Sequence, residues 1–117
     1  MTKYKMVALD MDGTLLDDRS EISRENEDWI RRALDQGIIV SFCTGRGVQG
    51  VDKYTQQLQL TTPLVTVNGS EVWMEPGHLH KRHLMDIHSI EQLRQLALQY
   101  DTWYWGYTVN GDRKSVV

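Results

Sequence analysis

The sequence holds a single cysteine, Cys43, which excludes an internal disulfide framework and fits a reducing, cytoplasmic setting. It holds no long hydrophobic run. The longest apolar stretch free of charge is Ile38 to Cys43, far short of the roughly 20 residues that span a membrane. Near the N-terminus, Met6-Val7-Ala8-Leu9 is cut off by Asp10, which leaves no signal-peptide core. Basic runs are missing too. With 13 Lys and Arg against 16 Asp and Glu the net charge is −3, a balance unsuited to electrostatic binding of nucleic acid or an anionic membrane. Neither an internal repeat nor a low-complexity tract is present. What remains is 117 residues, 40% hydrophobic and 25% charged, the composition of a globular chain. Such a length forms one domain or parts of two and buries roughly two-thirds of its unfolded surface.

The patterning predicts alternating strands and helices. Met6-Val7-Ala8-Leu9 is a continuous apolar run of the kind a doubly covered parallel strand shows. Ser23 is placed to cap a helix with Glu25 and Glu27 in its first turn, the stripe Trp29, Ile30, Ala33, Leu34, and Gly37 as its stop. Ile38 to Cys43 reads as a second buried strand. Gly45 to Gly47 then turn into a second helix with Val48, Val51, Thr55 and Leu58 on one face. Pro63 begins a third strand, Leu64 to Val67, ending at Asn68-Gly69. This order implies a right-handed parallel sheet covered by helices on both faces.

Beyond it, Glu75-Pro76-Gly77-His78 is a turn signal between two short strands. Ser89 with Gln92 has the spacing of a capping box for a third helix, its apolar side being Ile90, Leu93, Leu96, Ala97 and Tyr100. Trp103, Trp105, Tyr107 and Val109 alternate up to Asn110-Gly111, a dipeptide that favours a tight hairpin into Lys114 to Val117. The change of pattern places a boundary near His83 to Met85, between an α/β unit at 1–83 and the start of an α+β unit at 84–117.

Asp10-Met11-Asp12-Gly13-Thr14 directly follows the first strand. In an open parallel sheet, ligands bind at the carboxyl ends of the strands. Two carboxylates two residues apart can divide the work there, one attacking as a nucleophile and the other moving protons, if Gly13 bends the chain and Thr14 ties the loop. The pair also suits Mg²⁺, a hard cation that prefers oxygen ligands and keeps several waters. A bare Asp-x-Asp is often a solvated turn, but the four specified residues coincide by chance at about one position in 10⁵. An EF-hand loop fails on spacing, because Thr14 and Leu15 stand where a third oxygen ligand and a glycine belong.

Thr44-Gly45-Arg46-Gly47 follows the second strand. A hydroxyl and free backbone N–H groups at a helix start make a phosphate site, although the loop alone also reads as a plain turn. Asn68-Gly69 ends the third strand on the same edge, as a substrate contact or as an ordinary turn. Arg46 reads equally well as a phosphate ligand or a surface arginine.

In this order and context, the three segments resemble the haloacid dehalogenase (HAD) superfamily, and within it the Cof-type phosphatases, whose cap is inserted after the third core strand. The resemblance covers the whole chain. Residues 1–83 are similar to the first half of a three-layer, Rossmann-like α/β core, and 84–117 to the beginning of an α+β cap. It implies that Asp10 becomes an aspartyl-phosphate, and that Asp12 protonates the leaving oxygen and then deprotonates the hydrolytic water. It also implies that the Asp10 carboxylate and the Asp12 carbonyl hold Mg²⁺ while Thr44 and the Gly45 N–H hold phosphoryl oxygens. Arg46, Asn68 and Gly69 complete the candidate substrate-binding set. Small phosphorylated metabolites, sugar phosphates among them, are the implied substrates. The chemistry agrees: a carboxylate attacking a phosphate needs cations and oriented donors to offset charge, and a covalent intermediate splits hydrolysis into two in-line steps.

The family's lysine and second acidic motif have no counterpart in this sequence. Gly111-Asp112 lacks the second acid, and Lys53, Lys81 and Lys114 read as solvated. Each missing charge partner is worth on the order of 10²–10³ in rate. The expectation is therefore an N-terminal portion of a phosphatase with little activity of its own. Its first strand is expected to keep a free edge open to self-association.

Two readings compete. Gly45-Arg46-Gly47-Val48-Gln49-Gly50 literally fits the dinucleotide-binding pattern G-x-G-x-x-G, but it follows the second strand and leaves Asp10 and Asp12 unexplained. The other is an inactive half-domain that survives by self-association. His78 and His80 share a face yet read as a polar hairpin rather than a metal site. The aromatic row reads as cap-sheet packing against the third helix, and Cys43 as a small core residue.

Overall fold

The computed structural model describes residues 3–109 and the backbone of 113–116. It divides into two compact units, Met1–Arg82 and His83–Val117. The first carries strands β1 (Met6–Leu9), β2 (Ile39–Phe42), β3 (Leu64–Thr66), β4 (Glu71–Glu75) and β5 (His78–Arg82), with helices α1 (Arg24–Asp35) and α2 (Asp52–Leu58). β1 and β2 pair in parallel, Met6 opposite Ile39 through Leu9 opposite Phe42. A single parallel bridge, Cys43 to Val65, joins β2 to β3. The fold class is the expected α/β one, with its parallel strands laid side by side. The parallel contact to β3 is nevertheless narrow, and the other edge of β3 is taken by antiparallel β4, which in turn pairs with β5.

Local chemistry explains the boundaries. Ser23 caps α1, its hydroxyl accepting from the Asn26 N–H at 3.1 Å, and Gly37 takes φ +76° just past the end. Gly77, at φ +89°, closes the turn between β4 and β5 as the Pro-Gly pair predicts. The core gathers Met11, Leu15, Leu16, Ile22, Ile30, Val40, Phe42, Val51, Tyr54, Leu58, Leu60, Leu64 and Trp73. Inside it the Trp73 indole N–H donates to the Thr66 hydroxyl at 3.0 Å, which keeps both polar groups paired.

Three expectations for this unit need correction. β1 is not doubly covered: Met6 and Val7 are exposed, and among the described residues the strand pairs only with β2. Trp29 faces outward and lies under the Arg32 guanidinium, 4.8 Å from the ring centroid. It sits at the margin of the Ile30, Ala33, Leu34 stripe, where a cation can cover its ring. The second helix does not open at Gly47; a 3₁₀ turn, Val48–Gly50, precedes α2 at Asp52.

The second unit holds α3 (Ile87–Gln99) and the antiparallel strands β6 (Tyr104–Tyr107) and β7 (Arg113–Val116). The turn expected at Asn110-Gly111 lies outside the described residues. The α3 cap is Asp86 rather than Ser89: the Asp86 carboxylate accepts from both the Ser89 N–H and its hydroxyl. An ionised acceptor outcompetes a hydroxyl at the positive end of the helix. The apolar side of α3 is open, with Ile90, Leu93, Leu96 and Tyr100 exposed and only Ala97 buried. Trp103, Trp105 and Tyr107 are exposed as well, so the aromatic row does not pack down. Trp103 and Trp105 instead meet edge to face at 5.0 Å. Among the described residues, no helix is long and apolar enough to cross a membrane.

Candidate active site

Three loops leave β1, β2 and β3 from their carboxyl ends. The first makes one wide turn closed by two i→i+5 hydrogen bonds, the Leu15 N–H reaching the Asp10 carbonyl at 3.2 Å and the Leu16 N–H the Met11 carbonyl at 2.9 Å, with non-helical backbone angles at Asp12 and Gly13. The wide turn is permitted by Gly13 at φ +77°. It buries Met11 and Leu15 as anchors and leaves Asp10 and Asp12 exposed. The Thr14 hydroxyl donates to Asp10 Oδ2 at 3.2 Å, the tie expected of it.

The second loop is held from inside. Thr44 is buried, and its hydroxyl oxygen accepts from the Arg46 N–H at 3.0 Å; the hydroxyl proton stays available to donate. The third loop is braced onto the second. The Thr44 N–H donates to the Val65 carbonyl at 3.0 Å, the Val67 N–H to the Arg46 carbonyl at 2.9 Å, and the Asn68 N–H to the Thr44 carbonyl at 3.1 Å. Val67, Asn68 and Gly69 all take positive φ, +49°, +52° and +92°. For a β-branched residue such as Val67 this costs on the order of 1–3 kcal/mol. The run sets the Asn68 amide against Gly45, where a Cβ would stand 2.9 Å from Asn68 Oδ1.

One contact joins the first loop to the second. Arg46 forks onto Asp12, Nε donating to Oδ2 and a terminal nitrogen to Oδ1, each at 2.7 Å. A further terminal nitrogen reaches the Gly50 carbonyl at 3.1 Å, and the guanidinium lies 5.5 Å from the centroid of the Tyr54 ring. The Arg46 hydrogen bonds, helped by its charge, hold the Asp12 carboxyl below its ordinary value of 3.8, with burial opposing them. Asp12 reciprocally raises the Arg46 pKa.

The structure thus brings Asp12, Thr44, Gly45, Arg46 and Asn68 into one bonded assembly, with Gly69 finishing the left-handed run. Asp10 joins it only through its own loop, since no hydrogen bond among the described residues links Asp10 to the second or third loop. Its carboxylate suits a hard cation: it is exposed, and among the described residues Oδ2 alone takes a hydrogen bond. Among the described residues no three His, Cys, Asp or Glu side chains converge; Asp10 with the Asp12 carbonyl is the Mg²⁺ ligand set that the family resemblance implies, and a cation held so would keep several waters. The hexapeptide Gly45–Gly50 opens a 3₁₀ turn and not an α-helix, which removes the context a dinucleotide fingerprint requires.

Sequence reasoning missed Tyr54 and Val67. Tyr54 lies three residues after Val51 on the buried stripe of α2, a spacing that marks it as inward. No sequence signal announces a valine in the left-handed region.

A sequence profile of the haloacid dehalogenase-like hydrolases matches residues 7–114. The chain belongs to this family. It is 40% identical over 106 residues to the 5-amino-6-(5-phospho-D-ribitylamino)uracil phosphatase YcsE of Bacillus subtilis (strain 168), covering 91% of this chain and 43% of the relative. It is 45% identical over 107 residues to YitU of the same organism, which bears the same activity name, covering 86% of this chain and 38% of the relative. Among solved structures, a haloacid dehalogenase-like hydrolase from B. subtilis superposes with a TM-score of 0.77 at 29% identity, over 86% of this chain and 35% of the other. This HAD chain therefore spans less than half the length of the relatives it matches.

Proposed function

We propose that the chain carries the nucleophile-bearing part of a cytoplasmic, Mg²⁺-dependent phosphatase of small phosphorylated metabolites. The observation that carries this reading is the fork between Asp12 and Arg46, which ties the loop of Asp10 and Asp12 after β1 to the Thr44 loop after β2 at one end of the parallel pair. The phosphorylated sugar-alcohol substrate named for YcsE and YitU favours a sugar-phosphate-like substrate.

An Asp10 oxygen attacks phosphorus, the bond to the leaving oxygen breaks, and Asp12 delivers a proton to that oxygen. Water then attacks the phosphoryl group, Asp12 takes its proton, and the Asp10–phosphorus bond breaks to release inorganic phosphate. Arg46 holds Asp12 ionised in the resting site, so Asp12 must leave the guanidinium and take up a proton from solvent before the first step; once it has given that proton to the leaving oxygen it is again the base for the second. Thr44 and the Gly45 N–H donate to the phosphoryl oxygens. Bound Mg²⁺ would offset the charge that opposes a carboxylate approaching a phosphate.

Phosphate release from an aryl phosphate, with and without Mg²⁺, tests the assignment. Slow, Mg²⁺-dependent release that drops to background in Asp10→Asn is expected, because removal of a nucleophile costs about 10⁴-fold or more. Release unchanged in Asp10→Asn overturns it.

A second reading, self-association, is favoured by the exposed Met6 and Val7 on an edge strand. Sedimentation at rising concentration is expected to show a dimer that Val7→Lys dissolves, because a lysine blunts an open edge.

A further inference from the structure

The guanidinium that grips Asp12 is itself seated on a buried side chain. Tyr54 is 3% exposed, yet its phenol O–H finds a partner, donating to the Ser20 carbonyl at 2.6 Å. Ser20, at φ +58°, belongs to a tight hairpin that follows the Asp10 loop. Leu16 and Ile22 bridge across its base, and the Asp17 carboxylate accepts from the Arg19 and Glu21 N–H groups at 2.9 and 3.0 Å. The contacts therefore close a ring. The chain runs from Asp12 through the wide turn to the hairpin, the hairpin bonds Tyr54, the Tyr54 ring underlies Arg46, and Arg46 returns to Asp12.

We propose that Tyr54 is a positioning residue that couples the 16–22 hairpin to the Arg46–Asp12 fork, so that hairpin and Asp12 side chain loosen or tighten together. Two facts carry the coupling. A phenol buried without a partner is costly, so the hairpin does not leave Ser20's position unless the ring moves with it. The same ring supplies the face under Arg46, so its displacement withdraws support from the fork. No other element bonds both the hairpin and the face of Arg46 among the described hydrogen bonds and ring contacts. The inference rests on the phosphatase reading only for its catalytic consequence, namely access to the proton carrier. The coupling itself is tested without turnover.

Hydrogen exchange followed by NMR on the ¹⁵N-labelled 117-residue chain is the experiment. Tyr54→Phe keeps the ring and deletes only the phenol O–H. Exchange at the Glu21 amide and at Arg46 Nε–H is expected to quicken together, about fivefold for one lost hydrogen bond, while the Thr55 amide inside α2 keeps its rate. Reciprocity requires Arg46→Met to quicken the Glu21 amide by a similar factor. The coupling is overturned if Tyr54→Phe speeds the hairpin and leaves Arg46 Nε–H untouched, or if Arg46→Met leaves Glu21 unchanged. Should Thr55 also quicken in Tyr54→Phe, the result reports loosening of α2, and the Arg46→Met arm decides. A chain that shows the reciprocal effect but whose phosphate release is unchanged in Asp10→Asn keeps the coupling and removes the phosphatase reading; a chain whose release is lost in Asp10→Asn but that lacks the reciprocal effect does the reverse.

Discussion

The unit that ends at Arg82 packs thirteen apolar side chains into one cluster, whereas Ala97 is the one buried apolar residue described in the unit that begins at His83. Both contain amphipathic helices and paired strands. They differ in what the apolar faces meet. α1 and α2 turn Ile30, Tyr54 and Leu58 into a common interior with Val51 at the α2 N-cap, while Ile90, Leu93 and Leu96 on α3 remain exposed. Periodicity thus creates a face, and burial stabilises only where a second face arrives. A helix of α3's length has marginal stability alone in water. Its support is local: the Asp86 cap, and Glu91, which accepts from Arg94 at 2.7 and 2.9 Å and from Gln95 at 2.9 Å.

The strongest challenge to this contrast is Phe42→Ala. Phe42 is fully buried, and its truncation is expected to destabilise the first unit by about 3–5 kcal/mol in urea unfolding followed by fluorescence. A loss near zero erases the distinction between the units. Asp86→Ala comes next: loss of the α3 cap is expected to show as a partial fall in helical circular dichroism while the Phe42 core is untouched. Acid sharpens the same point. Hydrogen bonds from Arg94 and Gln95 pull the Glu91 pKa down from 4.5 to about 2, and those from Ser89 lower that of Asp86. Depressed folded-state values mean that this support is complete above the ordinary carboxylate range and disappears as pH falls towards 2. Helical signal is therefore expected to decline between about pH 4 and 2, and Glu91→Gln to flatten that decline. The smallest effect belongs to Leu96→Ser, within roughly 0.5 kcal/mol because the side chain is already half in water; a larger loss shows that the α3 face is covered in solution.

Much of the first unit was legible. Ser23, Gly37 and the Pro76-Gly77 turn act through bonds within a few residues, and such short-range chemistry survives in sequence. The acids after β1 were legible for the same reason, since Gly13 and Thr14 shape their own loop. The Arg46–Asp12 fork was not, because its partners stand 34 residues apart and only β1–β2 pairing brings them together. Asp86 and Ser89 illustrate a different failure. Both are good cap residues, and the ionised acceptor three places earlier wins by binding the hydroxyl of its rival. Trp29 and the α3 leucines show that an apolar stripe states a preference for burial without naming the surface that meets it. Val67 is the extreme case, held in an unfavourable backbone region by two loops that its own neighbours cannot describe.

The close seat of Asn68 against Gly45 has an evolutionary corollary. A methyl group added at 45 would meet only the end of the Asn68 side chain, so the backbone of both loops could stay while the amide swings aside. Enlarging position 45 would thus redraw the wall between two strands' tips by re-aiming one amide.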